Sequence, residues 1–100
     1  MKNSQYTEIA KVFKALSDPK RVKIVDLLSC GEMCGCVLLK CFEITQPTLA
    51  HDMKVLTEAG IVTSRREGKK TIYALNQETV QRYRRQVDGI FQDNSGKESC

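Results

Sequence analysis

Four of the five cysteines in this 100-residue chain crowd into residues 30–41, as Cys30-Gly31-Glu32-Met33-Cys34-Gly35-Cys36 and then Cys41. Thiolates select soft, thiophilic acceptors over hard cations. Two thiols one residue apart point to nearly opposite sides of a regular helix, but to the same side of extended backbone. Cys34 and Cys36 are therefore expected to grip one ion only where a helix start departs from regular geometry, and Gly35 makes that departure cheap. In a regular helix the two sulfurs are held apart, so binding would have to unwind the first turn. A helix N-terminus also favours the thiolate, which is the binding form.

The elements that must position these sulfurs follow from periodicity and punctuation. Ile9, Val12, Phe13 and Leu16 predict a first helix over about residues 5–16. Asp18 is placed to cap a second helix that begins at Pro19, carries Val22 to Leu28 and stops near Cys30-Gly31. A short third helix is expected from Cys36 to Phe42. Thr45 then caps a fourth, with Leu49, Met53 and Leu56 on its inner face and Gly60 at its end. Residues 61–66 and 70–75 alternate apolar and polar around Glu67-Gly68-Lys69, which reads as a hairpin. Asn76 caps a last helix bearing Val80, Tyr83, Val87, Ile90 and Phe91.

Length and charge narrow the function. One hundred residues suit a single domain, taken as residues 1–92 with a flexible polar tail over 93–100 that ends in Cys100. No stretch approaches the roughly 20 apolar residues of a membrane span, and the polar residues 1–10 lack a signal-peptide core. The expectation is a cytoplasmic protein, where clustered thiols bind metal or do redox chemistry more often than they staple a fold. Between Arg65 and Arg85 stand seven basic residues and two acidic ones. That excess suits a polyanion. The absence of C-x-x-C and of a βαβ pattern argues against a thioredoxin-type enzyme.

Helices three and four are separated only by Glu43-Ile44-Thr45, and a hairpin follows. This is the outline of a mainly helical, winged helix-turn-helix domain. Four segments carry a more specific likeness. Residues 15–21 (Ala-Leu-Ser-Asp-Pro-Lys-Arg), 46–56 (Gln-Pro-Thr-Leu-Ala-His-Asp-Met-Lys-Val-Leu), 59–62 (Ala-Gly-Ile-Val) and 67–75 (Glu-Gly-Lys-Lys-Thr-Ile-Tyr-Ala-Leu) together resemble the ArsR/SmtB family of metal-sensing repressors. The resemblance covers about residues 7–92. It implies a homodimeric repressor that leaves double-stranded operator DNA when a toxic metal or metalloid binds.

On the fourth helix, Thr45, Gln46 and Thr48 stand at the N-terminal end, where short polar side chains reach phosphates and base edges. Gln46 can pair with an adenine edge. His51 and Lys54 lie further along the same outward face. The family usually has serine at Ala50 and often a basic residue or histidine at Asp52. Asp52 would repel phosphate unless it meets a cytosine amine or pairs with Lys54. Arg65, Arg66, Lys69 and Lys70 are the expected phosphate contacts of the wing. Helices one and five should form the dimer interface through Ile9, Val12, Phe13, Tyr83, Val87, Ile90 and Phe91.

The arsenic-responsive members of that family carry Cys-x-Cys where this chain has Cys34 and Cys36. The family's third cysteine corresponds to Leu39, so a third sulfur must come from elsewhere or be dispensed with. Cys30, followed by Gly31, is the candidate. Cys41 lies about 140° around a helix from Cys36 and reads as a buried core thiol. Helix five has no histidine for a zinc or nickel site, and residues 1–13 have no cysteine for a cadmium or lead site. The resemblance then implies an arsenite, antimonite or trivalent organoarsenical inducer, and no cofactor for DNA binding itself. The alternatives are a thiol redox sensor, with Cys34 or Cys36 joined to Cys30, and a cadmium or lead sensor of the same fold.

Overall fold

A computed structural model describes residues 2–93, 95 and 96. Its elements are α1 (Asn3–Ala15), α2 (Pro19–Leu28), β1 (Met33–Cys34), α3 (Gly35–Leu39), α4 (Gln46–Glu58), β2 (Val62–Glu67), β3 (Lys70–Leu75) and α5 (Gln77–Phe91). Cys100, the end of the tail expected over 93–100, lies outside the described residues.

Capping side chains set the helix starts. Asp18 Oδ1 accepts the Lys20 N–H at 2.8 Å, with Pro19 in the first turn of α2. Thr45 Oγ1 accepts from the Thr48 N–H at 3.4 Å to open α4, and Asn76 Oδ1 from the Thr79 N–H at 3.2 Å to open α5. Each satisfies an amide that its own helix cannot, a gain of about 1 kcal/mol per cap. Gly60 ends α4 with φ +80°, a conformation that disfavours a side chain.

β2 and β3 pair antiparallel from Val62↔Leu75 to Glu67↔Lys70. The turn between them is Gly68-Lys69. Gly68 has φ +62°, and no non-glycine described residue has a positive φ. That is the pattern of a type II′ turn, whose twist matches the strands.

Two elements depart from the sequence expectation. The third helix ends at Leu39, not Phe42. Beyond it, the Cys41 and Phe42 amides close tight turns onto the Leu38 and Leu39 carbonyls. The wing, in turn, is a three-stranded sheet in the order β1-β3-β2, because Met33 and Cys34 pair with Tyr73 and Ile72. A two-residue strand is too short to show the alternation by which strands are read from sequence.

The core gathers Ile24, Leu28, Leu38, Leu56 and Val62, each 2% exposed or less. Leu49, Met53 and Leu56 occupy the buried face of α4, as their spacing requires. Burial of each such side chain is worth about 1.5–3 kcal/mol. This face anchors α4 and leaves the opposite one to solvent.

Candidate functional site

On that outward face, Thr45, Gln46, Thr48, His51 and Lys54 are all exposed. Thr45 and Thr48 share a hydroxyl hydrogen bond of 3.0 Å, and Lys54 lies 4.0 Å from Glu58. Asp52 does not belong to this face. It is 2% exposed and pairs with Arg21 of α2 at 3.1 Å, not with Lys54. The reason is helical geometry: Asp52 precedes Met53 and sits three residues after Leu49, on the inner stripe.

The wing presents its cations unequally. Lys69, in the turn, and Lys70 are exposed. Arg66 donates to the Thr71 hydroxyl at 2.9 Å. Arg65 is held by Glu32 through two hydrogen bonds, 2.7 and 2.8 Å, and also reaches Glu67 at 3.3 Å. Sequence reasoning missed Glu32, because nothing in the chain order says which of two distant opposite charges will meet.

The thiol site is built at the joint between β1 and α3. Cys34 is the last residue of the strand and the N-cap of the helix, with extended backbone (φ −67°, ψ 141°). Its Sγ accepts the Cys36 N–H at 3.4 Å. The Cys36 thiol beside it, the Cys36 amide, the Val37 amide and the charge of Lys70 all hold the Cys34 thiol below its ordinary value, against some desolvation. A regular helix therefore does not separate these two sulfurs. Cys34 lies outside it, as the extended N-cap residue.

Gly35 serves close approach more than flexibility. A Cβ there would stand 3.2 Å from Cε2 of the Tyr73 ring on β3. α3 lies against β3 of the wing and follows directly on β1.

The other thiols are placed differently. Cys30 is exposed in the turn after α2. Among the described residues no three His, Cys, Asp or Glu side chains are grouped as a metal site. Cys41 is half-buried rather than a core thiol, and its S–H donates to the Val37 carbonyl at 3.5 Å. Lys23 covers this turn from α2, donating to the Cys41 carbonyl at 2.8 Å and lying 4.7 Å from the Phe42 ring centre.

The residues expected at a dimer interface divide in two. Ile9, Val12 and Tyr83 are buried in the chain's own core, where the Tyr83 hydroxyl donates to the Ala59 carbonyl at 2.8 Å. Phe13, Ile90 and Phe91 are exposed, Phe91 by 78%. Val87 is half-buried and, with Val12, Leu16, Val80 and Phe91, lines an open groove between α1 and α5.

A capped helix that offers polar side chains outward, followed by a basic wing, is the architecture of a DNA-binding winged helix-turn-helix regulator. Residues 18–64 match the model of the arsR family of bacterial regulatory proteins. The chain is 45% identical over 91 residues to an arsenical resistance operon repressor of Staphylococcus xylosus, covering 91% of this chain and 88% of that one. It is 45% identical over 74 residues to a Staphylococcus aureus homologue of the cadmium resistance regulator CadC, covering 73% and 61%. Its fold is similar to the homodimeric winged helix-turn-helix domain of a possible ArsR-family regulator from Mycobacterium bovis, with TM-score 0.73, 29% identity and coverage of 87% and 81%. The chain belongs to the ArsR family of bacterial transcriptional regulators. Among the described residues no helix is long and apolar enough to cross a membrane.

Proposed function

We propose that this protein is a homodimeric repressor that releases its operator when Cys34 and Cys36 bind trivalent arsenic or antimony. The observation that carries the reading is the position of Cys34. It has a depressed thiol pKa, lies beside the Cys36 thiol and is paired through β1 to the wing strand β3. The arsenical resistance repressor among its relatives supports the choice of ligand.

Two thiols displacing two hydroxyls of arsenite release two waters, with no redox change. Closing both sulfurs on one atom turns Cys34 away from its cap position. The Met33↔Tyr73 and Cys34↔Ile72 pairing and the Glu32–Arg65 bridge then transmit the change to the wing. A ligand shifts an equilibrium only by its differential affinity, so the conformer it favours must be the weaker DNA binder. Dimerisation through the exposed Phe13, Ile90 and Phe91 places two recognition helices on two half-sites.

A cadmium sensor is the second reading, favoured by the cadmium-resistance relative. Residues 1–13 contain no cysteine to complete such a site. Thiol titration under reducing conditions separates the readings. Arsenite should protect two thiols, Cys34 and Cys36, or three if Cys30 closes over them. Protection by cadmium but not arsenite would favour the second reading, and thiol loss to peroxide alone would make the protein a redox sensor.

A further inference from the structure

Asp52 is the one charged side chain in the core among the described residues. Its Oδ1 accepts from Arg21 Nη1 at 3.1 Å. Arg21 Nε donates to the Ala15 carbonyl at 2.6 Å, and Nη1 lies 4.0 Å from Asp18, the cap of α2. One guanidinium thus ties the end of α1, the start of α2 and the middle of α4. Asp52 Oδ2 is buried without a hydrogen-bond partner. As a source of stability this is poor: desolvating both charges offsets their attraction, and apolar side chains of similar size often do as well.

What the pair supplies is direction. Leu49, Met53 and Leu56 hold α4 by burial, which is non-directional. The Arg21 guanidinium, fixed by its Nε–H on the Ala15 carbonyl, donates Nη1–H to Asp52 Oδ1, and such a bond holds only within a narrow range of distance and angle. His51 flanks Asp52 in sequence and Lys54 follows two residues later, both on the outward face, so any rotation of α4 moves them together. We propose that Arg21 and Asp52 are positioning residues for DNA recognition, fixing the rotation of α4 and hence which base edges its outward side chains meet. This rests on α4 being the recognition helix.

Removing one partner strands a buried charge and weakens the fold, so the decisive variant replaces both: Arg21→Met with Asp52→Leu. Thermal unfolding is measured alongside binding to a duplex selected from a random pool by the wild-type protein, and to a scrambled duplex of equal length. The double variant should melt at or above the wild-type temperature. Its binding to scrambled DNA, a matter of phosphate contacts, should stay within about twofold. Binding to the selected duplex should fall on the order of tenfold, the scale of one lost base contact. An unchanged ratio of selected to scrambled binding would overturn the proposal. An unfolded double variant would overturn it equally, since the pair would then be holding the fold. A wild-type protein that enriches no duplex would remove the recognition-helix reading, and this proposal with it.

Discussion

Glu32, two residues before Cys34, grips Arg65 of the wing through two hydrogen bonds of 2.7 and 2.8 Å. Arg65 stands opposite Ile72 on β3, and Ile72 stands opposite Cys34 on β1. A thiol and a candidate phosphate contact are therefore one strand apart in the same sheet. Both partners of the bridge are about half exposed, so it contributes little to stability. Its consequence is for availability: an Arg65 held by Glu32 must leave it to meet a phosphate.

Salt dependence of DNA binding reads this directly. Lys69→Ala should reduce the slope of log affinity against log salt by about 0.9, the loss of one phosphate contact. Arg65→Ala should change the slope by less in the wild-type background and by the full amount after Glu32→Gln. Glu32→Gln alone should tighten DNA binding. Equal slopes in both backgrounds would show that Glu32 does not restrain Arg65.

The depressed pKa of Cys34 has a definite sign. Hydrogen bonds from Cys36 and the charge of Lys70 favour the thiolate. Alkylation of Cys34, followed against pH by peptide mass spectrometry, should inflect below the ordinary thiol value of 9.0. Cys36→Ala should move the inflection up toward that value, and Lys70→Ala should move it up less. Inflections that coincide in all three proteins would mean that these neighbours do not activate the thiol.

Val87 and Phe91 lie one helical turn apart on α5, and Phe91 is 78% exposed in the single chain. Replacing both with glutamate should leave the fold intact by circular dichroism and yield a monomer by sedimentation. The paired half-site contact should be lost with the dimer. A monomer that still binds the two-half-site duplex as tightly as wild type would place the interface, or the mode of binding, elsewhere.

The sequence made some of this legible and hid the rest for physical reasons. Asp18, Thr45, Asn76 and Gly68 act locally, through hydrogen bonds to amides two or three residues away or through a turn conformation, so their roles could be read from chain order. The inner face of α4 was equally plain in the spacing of Leu49, Met53 and Leu56. Asp52 was misplaced because polarity was taken for exposure, and only Arg21, 31 residues earlier, makes its burial tolerable. The strand at Met33-Cys34 exists because Tyr73 and Ile72 lie beside it, a long-range fact with no local signal. The same pairing holds Cys34 in extended backbone at the N-cap of α3.

If arsenite acts through Cys34, release from DNA must need that thiol. The measurement is release from the selected duplex, followed by fluorescence anisotropy as arsenite is added to wild type, Cys34→Ser and Cys41→Ser under reducing conditions. All three proteins should bind DNA alike without arsenite, because neither thiol is among the candidate DNA contacts. Wild type and Cys41→Ser should dissociate on adding arsenite, while Cys34→Ser should remain bound. Dissociation of Cys34→Ser at the wild-type arsenite concentration would place the sensing site away from the junction of β1 and α3.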